Sequence, residues 1–369
     1  MSLVPTNQSS EVPYGYTRRF TRAKDSWKAS ADPRVVAFAQ EGIDCIRTGG
    51  EPMIHELEAI NSLPAHPLSL HLLNDRDFLQ ACIMRLYRLQ QQDPLYPFAY
   101  SEGYLLFRAV VLTIGVMIVS RDPENYSFTL SELLKSRLEL RDLTVLLLDF
   151  VYITAAKTTI GDSIFTPDSL IGWSTKESIQ PWISRSDALL LLDVVWKSRK
   201  GFTRAWHETC APAFFGPLFV LWRCIEIKST IGQVEAFADI FHRYCTIAGG
   251  REQQGMNPIK DSFIPRMQDL RFMAGTYERV DLEDARLILK AYTSVILSTS
   301  PLYTIPSMEH LCYLLTYVVP PTGSMQGVGD LFFPLLRALF GYFWLTAAGK
   351  SGYEDGIVVE DIASTIHTT

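Results

Sequence analysis

Charge is scarce in this chain, and strand patterning is absent. Charged residues make up 20% against 47% hydrophobic, below the roughly 25% charged that is usual for soluble domains. That balance excludes disorder over most of the length and points to extensive burial. No alternating period-two run is bounded by hairpin turns, which leaves an all-α fold. A net charge of -6 and a pI near 5.7 provide no basic field, so nucleic acid is not an expected partner. The six cysteines, Cys45, Cys82, Cys210, Cys224, Cys245 and Cys312, are scattered among apolar neighbours. They read as reduced core thiols, not as a disulfide framework.

Met1 to Pro13 has no apolar h-region, so no secretory leader is expected and the sequons at Asn7 and Asn125 carry little weight. The expected location is cytoplasmic, with nuclear as the alternative. Uninterrupted apolar spans are missing as well. Ala109 to Ser120 and Ala338 to Gly349 each hold 12 uncharged residues, against the roughly 20 apolar residues that a membrane span needs. Between Lys290 and Arg337, Pro301, Pro306, Pro320, Pro321 and several glycines break the apolar stretches. An integral membrane protein is therefore not expected.

What the chain does have is five long apolar runs, each broken by one or two charges. They are Tyr104–Ser120 around Arg108, Leu143–Ala156 around Asp149, Ala211–Ile227 around Arg223 and Glu226, Arg286–Leu297 around Lys290, and Leu331–Ala348 around Arg337. Their length favours helix over strand, and their apolarity places them inside something large. The interrupting charges should be paired or reach the surface, because a lone buried charge costs several kcal/mol.

Helix punctuation recurs along the chain. Asp32 and Pro33 open a helix that Gly49-Gly50 ends, a second helix begins near Pro52, and Asn74 caps a third with Asp77 in its first turn. Asp122-Pro123 closes the Tyr104 helix, and Thr129-Leu130-Ser131-Glu132 has capping-box spacing. Ser186 opens Asp187–Lys200, Gly201 stops it, a short helix carries Arg204 to Cys210, and Pro217 kinks or divides Ala211–Ser229. Asp281, Ser307 and Asp330 open the last helices.

The expected organisation is a basic N-terminal arm over 1–30, a helical domain over 31–348 with long connections near 158–180 and 250–280, and an acidic tail over 349–369. Roughly a dozen helices, apolar on most faces, are what stacked helical pairs produce. Leu189–Trp222 and Leu287–Val319 resemble armadillo or HEAT repeats in this architectural sense. The resemblance implies an irregular α-solenoid across about residues 32–348.

The chemical motifs in the chain have plainer structural readings. His207/Cys210 and His242/Cys245 offer two His/Cys pairs that could form a zinc tetrahedron, but amphipathic helices explain them more simply, so no metal is expected. Gly349-Lys350-Ser351 lacks the first glycine of a phosphate loop, since Trp344 stands there. Asp75/Asp77 and Asp281/Glu283/Asp284 sit at helix starts, where capping and the helix dipole favour acids. No cofactor is expected.

One surface stands out. Lys197, Arg199, Lys200 and Arg204 form a compact basic patch in an acidic protein, with Trp196 and Trp206 as aromatic walls. Helix-terminal placement before Gly201 explains the cations in part, and an acidic peptide or protein partner is the functional reading. The expected function is a noncatalytic helical scaffold or interaction module. The alternative is an all-α enzyme whose many aromatics, Phe 20, Tyr 16 and Trp 7, line an apolar cavity.

Overall fold

A computed structural model of the chain describes residues 33–93, 97–136, 140–160, 165–174, 180–209, 214–227, 229–245, 256, 259, 280–297, 318 and 327–347. It is all-helical, with no strand among these residues. The arm over 1–30, the tail over 349–369, and the Ser307 helix apart from Val318 lie outside the described residues. The span expected to form one domain divides into two compact units. One is Met1–Phe241 with Gln254–Gly275, and the other is His242–Gln253 with Thr276–Thr369.

The first unit begins with α1 (Pro33–Arg47), α2 (Ile54–Asn61), 3-10 turns at Leu63–Ala65 and Pro67–Leu73, and α3 (Arg76–Gln92). It continues with α4 (Ser101–Ser120), α5 (Pro123–Lys135), α6 (Leu140–Ile160) and α7 (Pro167–Ile171). Then come α8 (Arg185–Lys197), α9 (Arg199–Thr209), α10 (Phe215–Ile227) and α11 (Ile231–Cys245), the last turn of α11 belonging to the second unit. Gly49 ends α1 as expected: at φ +79 it reverses the chain, and the N–H of Gly50 donates to the Cys45 carbonyl at 2.8 Å.

Several caps differ from expectation by a residue or two. Asp75, not Asn74, caps α3, accepting from the N–H groups of Asp77 and Phe78 at 2.9 and 3.0 Å. Ser184, not Ser186, caps α8 through the Asp187 N–H at 3.0 Å. Thr129 is no cap at all. It lies inside α5, donates its hydroxyl to the Asn125 carbonyl at 2.7 Å, and leaves capping to Asp122. The long connection near 158–180 holds the end of α6 and the whole of α7, whose Thr166–Ser169 capping box fixes its start.

The glycine expected to stop α8 sits inside α9, because its role is space. A Cβ on Gly201 would lie 3.1 Å from the Cβ of Phe98, tighter than nearly all real contacts. In a buried cluster the Phe98 ring meets Phe107 on α4 and Phe202 on α9, and both of these meet Phe214 ahead of α10, at ring centroid distances of 4.9 to 6.1 Å. Pro217 neither kinks nor divides its helix. It falls in the first turn of α10, where its missing N–H has no partner to lose.

α4 is the axis of the unit. It packs against α2, α3, α5, α6, α10 and the second 3-10 turn. By length and composition alone it could cross a membrane, at a mean hydropathy of 2.0, and 94% of that stretch is buried by the rest of the protein. Of the charges inside the apolar runs, Arg223, Glu226 and Arg337 have the expected outlets. Arg223 bonds Asp168 at 3.0 and 3.1 Å and also pairs with Glu226, while Arg337 is exposed. Arg108 is buried and sits 6.0 Å from the Tyr104 ring centroid.

The described second unit contains α12 (Leu282–Leu297) and α13 (Gly329–Ala347), whose core is Ala285, Ile288, Leu289, Tyr292, Leu335, Ala338 and Leu339 with their neighbours. Two arginines fasten it. Arg243, fully buried in the last turn of α11, holds both carboxylate oxygens of buried Asp284, with one bond at 2.6 Å. At the surface, Arg286 holds Asp330 with two bonds of 2.6 Å and joins α12 to the start of α13.

Two outcomes follow for this unit. Asp284→Ala leaves a buried guanidinium without its counter-ion and should cost about 3–5 kcal/mol. The double change Arg243→Met/Asp284→Leu should recover most of that loss, read by denaturant unfolding. The hydrogen bonds from Arg286 hold Asp330 below the usual carboxylate range. Its contribution is therefore complete above the unfolded value of about 3.9 and is lost as pH falls through the lower folded value. The stability difference between the protein and Asp330→Asn should persist from neutral pH down to about pH 4 and vanish below it. A difference unchanged in strong acid would show that the carboxylate is not engaged.

Candidate interaction surface

The six residues read as a binding patch lie on α8, α9 and the joint between them. Ser198, at φ -102 and ψ 22, ends α8, so Lys197 closes one helix while Arg199 and Lys200 open the next. The helix dipole therefore favours Lys197 only and opposes cations in the first turn of α9. What holds Arg199 is a carboxylate. Its Nε lies 3.2 Å from Asp239 of α11, whose side chain is 8% exposed, and its guanidinium stacks 5.0 Å from the Trp196 ring. A further bond runs from Arg199 to the Trp196 carbonyl at 3.3 Å.

Lys197 bonds Asp193 one turn back at 2.7 Å, with both groups exposed. Lys200 is half-buried and Arg204 exposed, and both have contacts of their own. Trp206 lies on α9, and its side chain is outside the described residues. The structure thus brings Trp196, Arg199 and Asp239 together as a clasp between α8, α9 and α11. An acidic peptide that took Arg199 would have to break its pair with the buried Asp239 carboxylate.

A second surface escaped sequence reading. Where the end of α1 and residues 48–51 meet α3, a cleft of about 900 Å³ opens to solvent. Arg47, Glu51, Asp77, Gln80, Arg85 and Arg88 are among its lining residues. A neighbouring cleft of about 540 Å³ shares Arg47 and Asp77 and reaches His71 and Gln180. Arg85 is fixed by Glu102 at 2.6 and 3.0 Å and by the Gly50 carbonyl at 3.1 Å. Arg47 is held by Asp44 at 3.2 Å and Asp75 at 3.3 Å. Arg88 is exposed and has no such partner among the described residues.

The only signal of this cleft in the sequence was the polar side of α3, where Asp77, Gln80, Met84, Arg88 and Gln92 recur at helical spacing.

The remaining motifs are accounted for by structure or lie beyond it. Asp75 and Asp281 are caps, the latter accepting from the Asp284 N–H at 3.0 Å, and Asp284 serves Arg243. His242 and Cys245 share the last turn of α11, Cys245 being buried, while the His207 side chain, Cys210 and Gly349-Lys350-Ser351 lie outside the described residues. Among the described residues no group of three His, Cys, Asp or Glu is placed to hold a metal ion. Cys45, Cys82, Cys224 and Cys245 are free thiols. Burial pushes Cys224 up to about 11 and Cys82 well above the ordinary thiol value, so neither is a thiolate nucleophile at neutral pH.

No family model, no curated protein and no solved structure matches this chain.

The clasp and the surface pair should separate in unfolding measurements. Arg199→Ala leaves Asp239 buried without its cation and should cost about 1–3 kcal/mol. Lys197→Ala removes an exposed pair one helical turn apart and should change stability by less than about 0.5 kcal/mol. Equal effects would show that Arg199 is an ordinary surface cation.

Proposed function

We propose that the chain is a noncatalytic helical interaction module that receives an acidic segment of a protein partner in the α1–α3 cleft. One contrast carries the reading. The cleft is open, walled by charged groups and edged by the uncommitted Arg88. Among the described residues, buried Phe98, Phe107, Phe202 and Phe214 are packed against one another instead of lining an open space. Enclosed apolar pockets with a few convergent polar groups are the usual form of small-molecule sites, and an open polar groove suits a chain segment better.

The armadillo- or HEAT-like character belongs to the same proposal. It is supported by helices that pack against their chain neighbours, α1 with α2 and α3 with α4. A reducing compartment, cytoplasmic or nuclear, completes the reading and is supported by the four free thiols.

Affinity capture with the full chain tests it. Arg88→Glu should lose the captured partner by about tenfold or more, with helical circular dichroism unchanged. Arg199→Glu/Arg204→Glu should keep that partner wherever the variant remains folded. Capture unchanged by Arg88→Glu would remove the cleft as the site. Turnover of a small molecule by the purified chain would overturn the noncatalytic class.

A further inference from the structure

α13 is apolar on both sides, and among the described residues only one side has a core to face. Leu335, Ala338 and Leu339 are buried in the second unit's core. On the other side Phe333 is 78% exposed, Leu336 48%, Phe340 61% and Trp344 76%, with exposed Arg337 between them. Phe333, Arg337, Phe340 and Trp344 follow one another at steps of four, three and four residues, which places them in one line along the helix.

We propose that this line is a homodimer contact, occupied by the same helix of a second copy running antiparallel. The spacing is symmetric about a point midway between Arg337 and Phe340. A two-fold axis there sets Phe333 of one copy against Trp344 of the other, and Arg337 against Phe340. Both pairs repeat on the far side of the axis, as an isologous contact requires. Each matched pair is chemically favourable: two aromatic rings in one, and a guanidinium over a ring face in the other. A parallel arrangement would instead bring Arg337 against Arg337.

The area available reaches the lower edge of what a specific interface buries. With large aromatics carrying about 150–250 Å² each, the exposed parts of the four apolar side chains amount to roughly 500 Å² per copy. Two copies then approach the roughly 1,000 Å² that marks a specific interface. A patch of this size lies in the upper range of the largest apolar patch on a monomer, and such patches are often functional.

Sedimentation of the full chain should show a concentration-dependent dimer, and Phe340→Asp should weaken it on the order of a hundredfold without loss of helical signal. The antiparallel register has its own readout. A Phe333→Cys chain mixed with a differently tagged Trp344→Cys chain should give an oxidative cross-link, while neither chain cross-links with itself beyond the unaltered protein. Self-linking of Phe333→Cys would overturn the antiparallel geometry. A chain that stays monomeric, or a dimer indifferent to Phe340→Asp, would overturn the contact itself. Dimerisation that appears only after residues 349–369 are removed would assign the line to the chain's own C-terminal segment. Monomer that pellets with phosphatidylcholine–phosphatidylserine vesicles would assign it to a lipid surface.

Discussion

α4 has no side that tolerates water, and the first unit is arranged around that constraint. Its side chains from Gly103 to Val119 are buried on every face, so apolar cover must come from α2, α3, α5, α6 and α10 together. Each fully buried Val, Leu, Ile or Phe contributes about 1.5–3 kcal/mol relative to exposure, and most of that sum is offset by chain entropy. The cover nevertheless dictates where polar groups can go. Asn61 turns its amide onto the Leu105 carbonyl at 3.0 Å, and Gln90 bonds the Val194 carbonyl and the Ser198 hydroxyl at 2.7 Å each. These bonds tie α2 to α4 and α3 to the end of α8, so the groups that cannot avoid burial also fix the register of the wrap.

The second unit reaches order by another route. Its described core is small, and the fully buried Arg243–Asp284 pair lies within it. Taking two charges out of water costs several kcal/mol each, which their attraction recovers only with good geometry. The bidentate arrangement supplies that geometry and adds directionality that apolar packing lacks. The last turn of α11 and the first turn of α12 are thereby held in one relative position. Loss of either partner is far more damaging than loss of both, because the damage comes from the stranded charge.

How much of this was legible in the sequence depends on how local each determinant is. The apolar runs, the absence of strands and most helix ends follow from periodicity and from Gly, Pro and Asp placement, which are read within a few residues. Cap choice failed where two good candidates stood close together, as at Asn74 and Asp75 or Ser184 and Ser186, since packing decides between them. Gly201 was misread for a stronger reason. A glycine suits a helix end by propensity, and only Phe98, far back in the chain, explains why it belongs inside α9. The basic patch was visible as a cluster, but the buried Asp239 that claims Arg199 was not. The cleft beside α3 was illegible because it is a gap between elements, and sequence periodicity records faces, not gaps.

The same distinction between committed and uncommitted cations bears on recognition. Arg47 and Arg85 already have carboxylate and carbonyl partners, so they form walls with fixed side chains. A segment entering the cleft need not order them, and side-chain ordering commonly costs about 0.5–1.5 kcal/mol per long residue. Of the lining arginines, Arg88 is the one with no partner among the described residues, and it is exposed enough that its desolvation is partial. At the α8–α9 joint the balance reverses, because engaging Arg199 would break its pair with a carboxylate that water cannot reach freely. A concentration of positive charge in the sequence is thus a poor guide to a binding surface when a buried acid has already claimed it.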